Sequence, residues 1–192
     1  MPAHFPWADE QDREVSNTHF ARALAFSRLG RADEANEDID ILSQMGENMA
    51  GIKPLATSKD KIEVQVLTVK AWQQYANGKT EAALSMMKQA SDRDAVTKNS
   101  SSGPGDMLPA EELYADMLLD QSRLAEAHAA YKLALVRTPG RYNSIYGAGK
   151  TAFDMGDNEV AQRYFNMLLK NTEGAASSRP SLDEVRRLMA TI

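Results

Sequence analysis

Two stretches of the chain, LDQSRLAEAHAAYKLALVRTP and FDMGDNEVAQRYFNMLLKNTE, align without a gap. Ala127 falls on Ala161, Tyr131 on Phe165 and Ser122 on Gly156, each pair 34 residues apart. Self-similarity at such a period marks a chain built from stacked supersecondary units, because one unit cannot bury its apolar face alone. Two earlier stretches carry the same turn. RLGRADEANEDIDIL supplies Gly30, Ala35 and Ile39, and NGKTEAALSMMKQA supplies Gly78, Ala83 and Met87. The turns at Gly30, Gly78 and Ser122 are spaced by 48 and then 44 residues, so two repeats carry inserts. These fall in GENMAGIKPLATSKD and DAVTKNSSSGPGDM, both rich in turn and polar residues.

The residue types fit a helical hairpin. Glycine at the turn takes a positive φ without a steric penalty and so ends the first helix. Five residues later an alanine lets two helix backbones approach closely, and the bulky residue one turn further fills the space between neighbouring repeats. Ser122 replaces glycine in the third repeat, a mild departure. Pro139 ends its repeat because proline cannot continue a helix. Gly149 takes the small position on the first helix of the last repeat.

These residues give the stretch from about 14 to 173 a resemblance to the tetratricopeptide repeat family, strongest between Leu108 and Asn171. More narrowly, GPGDMLPAEELYADMLL followed by RTPGRYNSIYGAGKTA looks like the C-terminal repeat region of large bacterial proteins of that family. The resemblance implies an all-α fold, an α-α superhelix of about four helical hairpins with a C-terminal capping helix. The expected domains are an N-terminal extension over 1–10, hairpins near 11–46, 59–94, 108–139 and 142–171, and a linker and cap over 174–192. Nine helices are expected, near 11–29, 32–46, 59–77, 80–94, 109–121, 124–137, 142–155, 158–171 and 181–191. The last has Ser181 as N-cap with Glu184 three residues on, a capping box, and an apolar stripe of Leu182, Val185, Leu188 and Met189.

Composition narrows the function. Asp plus Glu number 27 against 22 Lys plus Arg, a net charge of −5 without a basic block, which argues against nucleic-acid binding. The absence of cysteine removes disulfides and thiolate metal sites. No apolar run approaches the ~20 residues that cross a bilayer, so no membrane role is expected. The start, MPAHFPWADEQDREVSN, lacks the layout of a secretory signal and reads as the downstream piece of a longer protein. The compartment stays open, bacterial cytoplasm or export within that longer chain.

Several motifs invite chemistry. SIYGAGKT, residues 144–151, resembles a phosphate-binding loop, yet Ser144 stands where the first glycine is required, no apolar strand precedes it, and Gly149 already has a packing role. His4, His19 and His128 show no ligand spacing. No G-x-S-x-G elbow is present, so neither an enzyme nor a cofactor or metal site is expected. GPGD, from Gly103 to Asp106, reads as a turn-rich connector.

Glu112, Asp116 and Asp120 recur every four residues and share one helix face. Such a stripe is either a solvated face or a site for a basic peptide or a divalent cation. Lys150, aligned with Asp116 one repeat on, can neutralise part of it. In the family register the first helix of each hairpin lines a concave groove. The resemblance therefore implies groove positions at Phe20, Leu24 and Arg28, at Gln65, Trp72 and Tyr75, at the acidic stripe, and at Asn143, Tyr146, Lys150 and Phe153. Trp72 and Phe153 can equally pack between helices. The clamp for C-terminal carboxylates known in this family is not expected, because Phe20 and Leu24 occupy its Lys and Asn positions on the first inner helix and Pro109 and Leu113 its basic positions in the third repeat. The leading expectation is a non-catalytic module or scaffold for a protein or peptide, a basic one where the acidic stripe is concerned. The alternatives are a structural part of a longer solenoid that self-associates, for which apolar Phe5 and Trp7 are candidates, and an accessory domain of a larger enzyme.

Overall fold

The computed structural model describes residues 8–51, 56–97, 108–174 and 179–192. Phe5, Trp7, His4 and the GPGD connector lie outside them. The described residues are all-helical: α1 (Ala8–Arg28), α2 (Asn36–Asn48), α3 (Ala56–Ala76), α4 (Thr80–Thr97), α5 (Ala110–Asp120), α6 (Leu124–Arg137), α7 (Tyr142–Asp154), α8 (Asn158–Asn171) and α9 (Pro180–Met189).

Four inter-helix turns are built alike. Gly30, Gly78, Ser122 and Gly156 all have positive φ, at 73°, 77°, 56° and 80°. In each, the next residue's N–H reaches back five residues: Arg31 to Phe26, Lys79 to Gln74, Arg123 to Leu118 and Asp157 to Ala152, at 2.9–3.0 Å. This is the Schellman closure, which satisfies carbonyls left over at a helix end. Ser122 adopts the left-handed conformation despite its side chain. Five residues after each turn stand Ala35, Ala83, Ala127 and Ala161, all fully buried, and Ile39, Met87, Tyr131 and Phe165 are buried one turn later.

The chain divides into two compact units, Met1–Ala110 and Glu111–Ile192. In the first, α1 packs on α2, α3 packs on both, and α4 packs on α3. In the second, α6 packs on α7, α7 on α8, and α8 on α9. Its core holds Ile145, Ala152, Ala161, Phe165, Leu168, Leu182 and Val185.

Three local readings change. The expected helix over 32–46 opens as a 3-10 turn, Ala32–Ala35, before α2. There Arg31 donates from Nε and one Nη to the two carboxylate oxygens of Glu34, each at 2.5 Å, a contact that a three-residue spacing suits. The helix expected to stop near 94 runs to Thr97, since nothing in DAVT breaks it. The capping box at Ser181 does not form. Arg179 is the N-cap and Pro180 opens α9. Ser181 and Glu184 instead bond tyrosines of α7, as described below. Residues 144–151 all lie within α7, so SIYGAGKT forms no loop around a phosphate.

Candidate functional site

The sequence-predicted groove residues divide between the two units. In the first, Arg28 ends α1 while Gln65, Trp72 and Tyr75 follow one another along α3. Trp72 is 3% exposed, buried between the helices. The Arg28 guanidinium lies 4.6 Å from its ring centroid, and Tyr75 meets the indole edge-on at 5.5 Å. Gln65 donates from Nε2 to Asn17 Oδ1 of α1 at 2.9 Å. Trp72 Nε1 and Gln65 Oε1 are buried and have no hydrogen-bond partner among the described residues. Phe20 and Leu24, two more groove expectations, are also buried. The α1–α3 seam is therefore closed by packing, and Trp72 is a core residue with a cation over its face.

A cluster in the same unit went unnoticed in the sequence. Asp38 of α2 is fully buried, and its carboxylate takes His19 Nδ1 at 2.6 Å and Arg22 at 2.8 and 3.1 Å, both from α1. The signal was available. Asp38 sits among Ala35, Ile39 and Leu42 on the buried stripe of α2, where a carboxylate demands cationic partners.

In the second unit the acidic stripe separates into three different environments. Glu112 is 1% exposed. It receives Arg141 in a bidentate pair at 2.8 and 3.0 Å, Ser144 Oγ at 2.5 Å and Asn143 Nδ2 at 3.4 Å. Glu112 thus fixes α7 to α5 and does not lie on an open face. Asp116, half-buried, accepts the Tyr131 hydroxyl at 2.7 Å. Burial and this carboxylate push the Tyr131 phenol well above its ordinary range. Asp120 is exposed at the end of α5. The split follows from the partners: those of Glu112 all come from the start of α7, whereas Asp116 is met by Tyr131 of α6. Glu111, next in sequence to Glu112, is likewise buried and meets Arg137 at 3.3 Å.

On α7, Asn143 is exposed and Lys150 is half-buried. Lys150 spends its charge on Asp154 at 2.5 Å, one turn along its own helix. Phe153 packs against the core. Tyr146 donates its hydroxyl to Glu184 of α9 at 2.6 Å, and burial together with that bond pushes the phenol's pKa above its ordinary value, so it stays neutral. Tyr142 and Ser181 share a hydrogen bond at 2.7 Å, with Arg179 stacked 4.4 Å over the Tyr142 ring. The residues from Arg179 to Glu184 were not anticipated as partners of α7.

His128 of α6 lies at 3.1 Å from the Ala148 carbonyl and 3.0 Å from Thr151 Oγ. A carbonyl only accepts, so Nδ1 carries the proton. Burial lowers the imidazole's basicity, partly opposed by that carbonyl. No group of three or more potential metal ligands exists among the described residues. No described helix is long and apolar enough to cross a membrane. The sequence matches no family model, and it has no significant match among the curated proteins.

Proposed function

We propose that this chain is a tetratricopeptide-type binding module that takes a basic peptide or protein segment through its first helices, without catalysis. The observation that carries the reading is the fourfold repetition of one turn followed by a buried alanine. Each hairpin repeats the same close approach, at Ala35, Ala83, Ala127 and Ala161. Hairpins of this kind hold their first helices at fixed spacing, so a binding face is organised before a partner arrives.

Among the acids on the first helices of the second unit, Asp120 and Asp154 are exposed and Asp116 is half-buried, with Asp116 bound by Tyr131 and Asp154 by Lys150. Glu112, neutralised by Arg141, contributes positioning and no external charge. A basic segment suits the remaining face, and its attraction weakens as salt rises. In the first unit Tyr75 and Arg28 are the groups that reach the surface, beside buried Trp72.

The test is a peptide array of basic and acidic segments read with the full chain and with an Asp120→Lys, Asp154→Lys variant. Both positions are exposed, so the variant keeps its circular dichroism spectrum. Basic peptides bound by the wild type are expected to bind the variant about tenfold more weakly, as two reversed charges near a ligand imply. Equal binding by both proteins removes this face from the reading.

A further inference from the structure

We propose that α9 is an intramolecular ligand of the α7 face, holding the place of an amphipathic partner helix. This rests on the binding-module reading and names its second partner class. Two of the expected groove residues, Tyr146 and Phe153, carry the argument. Tyr146 is engaged by Glu184, and Phe153 packs with the core cluster that Leu182 and Val185 complete. The face is therefore occupied, and its occupant defines what it recognises. That is a helix with an apolar stripe, here Leu182, Val185, Leu188 and Met189, and a carboxylate beside it, Glu184. The carboxylate meets a phenol, and Leu182 and Val185 are buried in the core cluster of α7 and α8.

The occupant is built to be exchangeable. α9 is ten residues long, shorter than the ~12–15 that hold a helix in water, so it is helical because it is docked. Its anchors are buried Leu182 and Val185, with Leu188, Met189 and Ile192 packed against the same core, the Glu184 and Ser181 hydrogen bonds and the Arg179–Tyr142 stacking contact. The opposite face, with Asp183, Arg186 and Arg187 exposed, is fully polar and takes no part. Tethering gives α9 an effective concentration of order millimolar, so a helix in trans competes only when it binds better or when α9 has been weakened. The α7 face is accordingly gated by α9.

A fluorescein-labelled peptide of residues 179–192 is the probe, with fluorescence anisotropy as the readout. The 192-residue wild type should not bind it measurably at micromolar concentration, because its own α9 fills the site. The Leu182→Asp, Val185→Asp variant of the same chain, with α9 undocked, should bind at least tenfold more tightly, and Glu184→Ala should fall between the two. Hydrogen exchange over α5–α8 is measured on each variant. Loss of protection there in the double variant would show α9 to be an inseparable part of the core and overturn the proposal. So would a folded double variant that ignores the peptide, or equal binding by wild type and variant. The basic-peptide array reports on the module reading separately. Discrimination there, with no α9-peptide binding here, overturns the gate alone.

Discussion

Gly147 and Gly149 show how much a missing methyl group decides. A Cβ on Gly147 would lie 2.3 Å from Tyr131 Cζ, and one on Gly149 would lie 2.6 Å from Phe165 Cε1. Both rings are buried, so neither can retreat into water. Glycine inside a helix normally costs about 1 kcal/mol relative to alanine, and the substitution should help unless something blocks it. At Gly46 of α2 nothing does, since its nearest neighbour, Ile62 Cγ2, would be at an ordinary 3.5 Å. Gly46→Ala is expected to raise stability by about 0.5–1 kcal/mol. Gly147→Ala is expected to lower it by about 1–3 kcal/mol, the usual result of overpacking. Urea denaturation of the two variants decides the matter, and a Gly147→Ala protein as stable as wild type would mean that the Tyr131 ring has room to move. Ala127 and Ala161, four residues before these two rings, act by the same rule: the approach of two backbones is set by the smallest residues at the crossing.

At the scale of the element, α5 and α7 are joined by one buried carboxylate. Glu112 receives four hydrogen bonds from Arg141, Asn143 and Ser144, all at the start of α7. Replacing it with glutamine keeps the volume and removes the negative charge that faces Arg141. Removing one member of a fully buried pair costs about 3–5 kcal/mol. Arg141 reaches solvent, so Glu112→Gln is expected to cost about 2–3 kcal/mol, with hydrogen exchange rising first in α5 and the opening turn of α7. Unchanged protection in those two helices would show that apolar packing alone aligns them. The helices, turns and close-packing alanines were legible in the sequence because local chemistry fixes them: a glycine or its substitute in left-handed conformation, an alanine five residues on, a ring or aliphatic chain after that. Which face of α5 meets solvent was not legible. A four-residue spacing places Glu112, Asp116 and Asp120 on one side of a helix, yet the partners of Glu112 come from a helix some 30 residues on, and Tyr131 comes from a third. The same holds for α9, where Ser181 and Glu184 have capping-box spacing but find better partners in the hydroxyls of Tyr142 and Tyr146. Local rules lose there because a tertiary partner satisfies the same polar atoms.

For the molecule as a whole, the division at Ala110 and Glu111 places two hairpins' worth of helix in each unit. Each unit must then bury its own apolar seam. The second does so with Ile145, Ala152, Ala161, Phe165 and Leu168 from α7 and α8, closed by Leu182 and Val185 of α9. Every buried carboxylate there also finds its cation or hydroxyl inside the unit: Glu111 with Arg137, and Glu112 with Arg141 and Ser144. A repeat stack contacts mainly its neighbours, so stability is close to a sum over hairpins and the interfaces between them. The fragment 108–192 contains both hairpins of this unit, the interface between them and the closing helix. It is expected to fold by itself, with a helical circular dichroism spectrum, one cooperative thermal transition and about 4–5 kcal/mol of stability, the low end for a domain of its size. A helical spectrum that fades gradually with temperature, or a fragment helical only in the presence of 1–110, would mean that the second core is incomplete. The internal pairing of Glu111 and Glu112 would then stabilise local geometry without making the unit a folding unit.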